Sequence, residues 1–278
     1  MTLTRKNFLK LTAKGIFVIG AGNSLASFAP GNFQLPPQEK VGLRFALASD
    51  GHYGEKDTQY EKFYDEMVGW LNREHAQRKL NFSMINGDLF HDDITFLPLV
   101  KNRLDNLKMP YYVSHGNHDH ADEVTWQKTW KIPLHHAFEV NNSAFLILNS
   151  ADETGKYICP DLKWTKEKLQ QYGSKTHLFV FIHITPVKWT DNALPCPELV
   201  DMLSKQVNLK GIFHGHDHDL DGMKERDGKF YFFDSHIAGS WGTTYRGYRV
   251  VEVLTDGSVL TYQMNPHETT PVNSNKVT

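Results

Sequence analysis

Short apolar runs recur along the chain, and the early ones break off into glycine and chemically active side chains. Leu43 to Ser49 runs into Asp50-Gly51-His52, and Phe82 to Asn86 into Gly87-Asp88. Tyr111 to Val113 leads to Gly116-Asn117-His118-Asp119, and Leu209 to Phe213 to Gly215-His216-Asp217-His218. Uninterrupted apolar runs read as buried strands, and polar residues just past them sit at the open end of a sheet. Helical periodicity separates these runs. Gln59 to Lys79 places Phe63, Met67, Trp70 and Leu71 on one face, and Ile94 to Leu107 reads as a helix closed by Met109-Pro110. Asp161 to Tyr172, ended by Gly173, and Pro197 to Gln206 are two more helices. Ala137 to Val140 and Ala144 to Leu148 form a predicted hairpin turning at Asn141-Asn142, and His177 to His183 a further central strand. Phe230 to Phe233, Tyr248 to Leu254 and Val259 to Gln263 are late strands with Asp227-Gly228 and Asp256-Gly257 turns. Strands alternating with helices predict α/β layers, and the late strands add an antiparallel portion.

The first thirty residues read as an export signal. Thr4 to Lys10 is basic, Gly15 to Ala21 is apolar, and Ser27-Phe28-Ala29 supplies small residues for cleavage. The pattern resembles a twin-arginine signal, with Lys6 where the second arginine belongs; the other reading is an amphipathic N-terminal helix. The apolar segment is too short to span a bilayer, so no stable membrane anchor is expected. Residues 31–40, with Pro36-Pro37, read as a linker, 41–267 as one domain and 268–278 as a flexible tail. An exported, periplasmic or extracellular protein is expected.

With 278 residues, 40% hydrophobic and 22% charged, the chain has the size and make-up of one globular domain. Its net charge is −2 and it has no long Lys/Arg block, so nothing global draws it to nucleic acid, and no nucleic-acid partner is expected. An anionic substrate would need a local source of attraction. The two cysteines, Cys159 and Cys196, each precede a proline and lack metal-ligand spacing. They either pair in an oxidising compartment or stay as two buried thiols.

The strand ends together offer Asp50, His52, Asp88, Asn117, His183, His216 and His218. Imidazoles, carboxylates and an amide suit zinc, manganese or iron rather than calcium. The set is too large for one tetrahedral ion and about right for two that share a carboxylate and keep room for water. His118 follows a candidate ligand directly and can lie beside the ions without binding them. His115, His120 and His214 flank the motifs and read as packing residues, while His91, in the variable part of the second motif, reads equally as a pocket residue or a bystander. His236, Trp241, Tyr245 and Arg246 lie in one loop and read more simply as packing than as substrate contacts.

Asp50-x-His52, Gly87-Asp88-x-x-x-Asp92, Gly116-Asn117-His118-Asp119, the strand-end His183 and Gly215-His216-x-His218 resemble the ordered signature of the calcineurin-like metallophosphoesterases. The resemblance implies a layered α/β/β/α sandwich of two mixed sheets flanked by helices, with the metal site at the C-terminal ends of strands. It implies that Asp50, His52, Asp88 and His218 bind one metal and that Asp88, Asn117, His183 and His216 bind the other. Asp88 is then the bridge, and a water between ions about 3.5 to 4 Å apart becomes the nucleophile. Two dications less two carboxylates and a hydroxide leave a local charge of about +1, which would attract an anion without a basic patch. The family role carried over to His118 is to stabilise the transition state or protonate the leaving oxygen. Asp119 is expected to hold the His118 imidazole, and Asp92 to be a supporting carboxylate.

Ser/Thr protein phosphatases usually carry Asp-Arg-Gly after the second motif, where this chain has Asp92-Asp93-Ile94. It looks closer to the branch of class III cyclic nucleotide phosphodiesterases and small purple-phosphatase-like enzymes. The expected activity is hydrolysis of a phosphodiester or small phosphomonoester with two divalent ions, or one ferric and one divalent. The rival from another class is a binding protein that kept the metal scaffold without catalysis. His214-x-His216-Asp217-His218 fits a metallo-β-lactamase less well, because its aspartate falls one place too early.

Overall fold

The computed structural model describes residues 33–278, 24–28 and, for backbone only, 16–19. In chain order the strands are β1 (Ile16–Ile19), β2 (Ser24–Phe28), β3 (Val41–Ala48), β4 (Phe82–Asn86), β5 (Tyr111–Ser114), β6 (His136–Val140) and β7 (Ser143–Leu148). They continue with β8 (His177–Ile182), β9 (Leu209–His214), β10 (Met223–Arg226), β11 (Lys229–Phe233), β12 (Tyr248–Leu254), β13 (Val259–Met264) and β14 (Asn273–Val277). The helices are α1 (Tyr60–Gln77), α2 (Leu97–Leu104), α3 (Glu123–Trp130), α4 (Leu162–Gln171) and α5 (Pro197–Ser204).

Two mixed sheets result, ordered β1-β2-β14-β13-β12-β3-β4-β5 and β10-β11-β9-β8-β7-β6. Strands β3, β4 and β5 run parallel in the first sheet, and β7, β8, β9 and β11 in the second. Parallel strands covered on both faces read as continuous apolar runs, which is why Phe82–Asn86 and His177–Ile182 are buried at every position. A phenylalanine seam joins the sheets: Phe45 stacks on Phe82 at 4.9 Å and meets Phe145 and Phe179 edge-on at 5.4 Å. Helices α1 to α3 cover the outer face of the first sheet through Met67, Leu71, Val100 and Trp126. Helices α4 and α5 cover the second through Leu169, Leu199 and Leu203. The four layers are the expected α/β/β/α sandwich.

Four local expectations change. The stretch 268–278 is not a free tail: β14 lies between β13 and β2, with Ser274 and Val277 buried. Its sequence is polar, and pairing on both sides, not an apolar run, makes it a strand. The helix expected over 94–107 starts as one 3₁₀ turn and becomes α2 only where Pro98 can occupy a first-turn position. On α1 the buried face is Tyr64, Met67, Val68, Trp70 and Leu71, while Phe63 lies outside it under the Arg246 guanidinium, 3.8 Å from the ring centre. The short helix α3 was not foreseen from its β-branched, polar sequence; Asp122 caps it by accepting from the Thr125 amide. The expected signal over 1–30 falls largely outside the described residues. Its described pieces are β1 and β2, the latter hydrogen-bonded to β14. Among the described residues no helix is long and apolar enough to cross a membrane.

Candidate metal centre

The parallel strands of both sheets end on one side of the sandwich, and there the polar residues meet. The Asn86 side chain donates to the Phe213 carbonyl at 3.2 Å, and the His216 amide donates to Asp50 at 2.9 Å, so loops of the two sheets are pinned together. The chain bends sharply to do this. Asp50, His52, Asp88 and His216 all have φ between 38° and 67°, a left-handed region that side chains other than glycine rarely adopt. Gly116 is needed for close approach: a Cβ there would lie 2.2 Å from the Asp88 amide nitrogen.

Six of the seven proposed ligands form two groups, Asp50 with His52 and His218, and Asp88 with His183 and His216. Within each group the candidate ligand atoms lie within 4.8 Å of one another, and all six side chains are buried. Asp88 Oδ2 lies 3.1 Å from His183 Nε2 and 3.5 Å from His52 Nε2, so this carboxylate faces both groups. The seventh, Asn117, is buried with Oδ1 lacking any hydrogen-bond partner, and His183 Nε2 has only its ion-pair contacts with the Asp88 and Asp50 carboxylates. An orphaned atom such as Asn117 Oδ1 is costly unless something binds it. The outer nitrogens are all occupied. His183 Nδ1 donates to the Asn86 carbonyl at 2.7 Å and His218 Nδ1 to the Trp241 carbonyl at 3.1 Å. His52 Nδ1 meets His91 Nδ1 at 3.1 Å, and His216 Nε2 meets the Tyr157 hydroxyl at 2.9 Å. Holding the outer nitrogen fixes which lone pair points inward, as metal-binding histidines require.

The electrostatics fit a cation site. Burial pushes His52 down to about 3 and His216 down to about 4, leaving neutral imidazoles with lone pairs to give. Burial would also lower His183, but the Asp88 and Asp50 carboxylates outweigh it and raise the imidazole to about 10. Burial would raise Asp50 and Asp88, yet His218 and His183 hold them below the usual carboxylate range. The Asp50 carboxylate likewise raises His218 against the effect of its burial, so both imidazoles lean toward the charged form beside two carboxylates that have left water. A pair of metal ions would supply that charge instead, and the donor set fits them.

His118 sits at the mouth. Its amide donates to Asp88 at 2.8 Å, and its ring meets His52 edge-on at 4.9 Å. Asp119 does not hold the ring, contrary to expectation. Its carboxylate is buried and accepts from the amides of Phe90 at 3.0 Å and Gly116 at 2.9 Å, closing the turn itself. Asp92 takes that place, 2.8 Å from His118 Nδ1, and His91 stacks on the same ring at 4.5 Å. His52, His91 and His118 form a third cluster with candidate ligand atoms within 4.8 Å of one another.

The neighbouring residues divide by contact. His115 lies against Trp126, and His214 donates to the Ile182 carbonyl at 2.8 Å, both as packing residues. Tyr245 binds Asp221 and Arg246 binds Glu66, away from the ligands. Trp241 differs from its loop partners: it stacks on His218 at 4.4 Å and is 47% exposed at the mouth. Tyr157 was not foreseen at all, since it lies in an irregular segment without a motif. Cys159 and Cys196 are paired, with Cα atoms 5.9 Å apart.

The sequence pattern of the calcineurin-like phosphoesterases matches residues 43–220. No curated protein matches the chain by sequence. Among solved structures, a dimetal phosphatase from Danio rerio superposes with a TM-score of 0.66 at 12% identity, covering 84% of this chain and 98% of that one. A purple acid phosphatase from yellow lupin seeds gives 0.63 at 12% identity, covering 91% of this chain and 59% of that one. The calcineurin-like phosphoesterase YfkN from Bacillus subtilis gives 0.53 at 12%, covering 83% and 92%. At these identities the structural likeness is one of fold, but the family pattern spans well over half of the chain. This chain therefore belongs to the calcineurin-like phosphoesterase family, the metal-dependent phosphoester hydrolases.

Proposed function

We propose that the chain hydrolyses a phosphodiester or small phosphomonoester with two metal ions, of which manganese, iron or zinc suits the donors. Asp50, His52, Asp88 and His218 would hold one ion, and Asp88, Asn117, His183 and His216 the other. When bound, such a pair acidifies a water to near neutral pKa and neutralises phosphoryl oxygens. The remaining work belongs to the protein. Asp92 holds His118 Nδ1, which leaves Nε2 free to hand a proton to the departing oxygen. His91 and Trp241 wall the mouth with rings, which favours a small ester over an extended polymer. The observation that carries this reading is the convergence of six buried candidate ligands from both sheets beside Asn117, whose buried Oδ1 has no hydrogen-bond partner. The disulfide and the basic-then-apolar N-terminus support export to an oxidising compartment.

Metal-depleted protein should turn over neither bis(p-nitrophenyl) phosphate nor p-nitrophenyl phosphate and should recover activity with added manganese or zinc. Comparing the two rates assigns diester or monoester preference. No turnover of either by metal-loaded protein sinks the catalytic reading in favour of a metal-binding protein on the same scaffold.

A further inference from the structure

Two of the four ligands assigned to the second metal, Asn117 and His216, lie against one irregular loop that no motif marks, and the segment after a third, His183, is hydrogen-bonded to the cysteine that is disulfide-bonded to that loop. We infer that Tyr157 is a positioning residue for that ion, its phenolic oxygen fixing the His216 imidazole, and that the Cys159–Cys196 disulfide clamps the loop that presents it. The inference rests on the two-ion reading above.

The loop leaves the end of β7 and closes on itself. The Asp152 amide donates to the Lys156 carbonyl at 2.9 Å, the Ile158 amide to the Ser150 carbonyl at 3.0 Å, and Ala151 bridges Tyr157. The Asp152 carboxylate accepts from the Thr154 amide at 2.9 Å and the Lys156 amide at 3.1 Å, which stiffens the turn. Its crown rests on the second site: a Cβ at Gly155 would lie 2.5 Å from the Asn117 carbonyl oxygen. Its side chain Tyr157 reaches His216 Nε2 at 2.9 Å. Its foot, Cys159, is bonded to Cys196, whose amide donates at 3.0 Å to Pro186 in the segment that follows His183.

Tyr157 occupies Nε2 of His216, which leaves Nδ1 as the nitrogen to face an ion. A neutral imidazole bound through Nδ1 carries its proton on Nε2, and the phenolic oxygen accepts it. The outer partners of the first site come from elsewhere, His91 for His52 and the Trp241 carbonyl for His218. Loosening this loop should therefore weaken one ion and spare the other.

The test is zinc titration of metal-free full-length protein against a chromophoric chelator, with bound zinc counted by elemental analysis. Wild type should take two equivalents. Tyr157→Phe should keep one at wild-type affinity and bind the other about 10 to 100 times more weakly, the usual effect of losing a histidine's outer partner. Cys159→Ser with Cys196→Ser, and wild type treated with reductant, should shift the same equivalent in the same direction. Melting temperature and near-ultraviolet circular dichroism of Tyr157→Phe should stay at wild-type values. Two unchanged equivalents in Tyr157→Phe overturn the inference, as does equal weakening of both. A charge-transfer band of a phenolate on ferric iron also overturns it, because it puts the oxygen on the ion itself. A wild type that takes fewer than two equivalents refutes the two-ion reading instead.

Discussion

His118 and the two aspartates near it separate chemistry from architecture at the level of single side chains. Asp92 contacts the His118 ring, while Asp119 spends its carboxylate on two backbone amides. His118→Ala should lower kcat by about 10² to 10⁴, the range for loss of a general acid, while two metals stay bound. Asp92→Ala should lower kcat in the same direction and by less, with unchanged melting temperature. Asp119→Ala should do the reverse at first order, destabilising the protein by about 1 to 3 kcal/mol for each buried amide left unpaired. Steady-state kinetics and denaturant melts of the three variants check this division, and a wild-type kcat in Asp92→Ala refutes it. The seven proposed ligands were legible because each sits next to a glycine turn or at the end of an apolar run. The choice between Asp92 and Asp119 was not legible, because a turn's letters do not say which way its side chains point. Tyr157 is absent from the sequence reading, and Trp241 reads there more simply as packing, for a related reason: irregular loops bring both in, and no periodicity encodes the path of such a loop.

At the scale of elements, the apolar strands from β3 to β13 were read to within a residue or two, the apolar β1 falls in the stretch read as an export signal, and the polar β10 and β14 were invisible. Strand β4 was placed at its true limits because burial on both faces forces an unbroken apolar run. Strand β14, with sequence Asn-Ser-Asn-Lys-Val, owes its existence to two neighbours and not to its own hydrophobicity. What the elements contribute to function is the bend after each strand, and the glycines there are the sensitive points. Gly116→Ala places a methyl group against the Asp88 amide and carboxylate, at 2.2 Å from each nearest atom, so the turn must open. The expected outcome is a loss of metal stoichiometry together with activity, because the turn carries Asn117 and rests on Asp88. Gly222→Ala, where nothing lies within 4 Å, should leave both at wild-type values and serves as the control. Elemental analysis of the two purified variants decides the matter, and full metal content in Gly116→Ala would show that the turn tolerates the methyl group.

For the molecule as a whole, the proposed ions would join the two sheets at one end as the phenylalanines join them through the middle. His183, His216 and His218 hang from the second sheet, and Asp50, His52, Asp88 and Asn117 from the first. Ligands that are split in this way bind an ion only while the sheets are docked, so binding adds to folding stability by mass action, about 2.7 kcal/mol at a free metal concentration one hundred times the dissociation constant. Chelation should lower the melting temperature by several degrees, and restoring manganese or zinc should return it; an unchanged melting curve rules the coupling out. Acid should act on the same fold through a different group. His136, buried at the start of β6 and donating to the Pro133 carbonyl at 3.2 Å, is pushed by burial from 6.5 down to about 4. The unfolded chain therefore takes up a proton between these values that the folded chain refuses. The stability this group contributes is whole above pH 6.5 and is lost as the pH falls toward 4, up to an amount on the order of 3 kcal/mol for a shift of this size. In metal-free protein, where no ion is displaced by the acid, His136→Phe should flatten that part of the stability curve. Urea melts from pH 7 to 4 measure the slope, and parallel curves for variant and wild type would assign the acid loss to other residues.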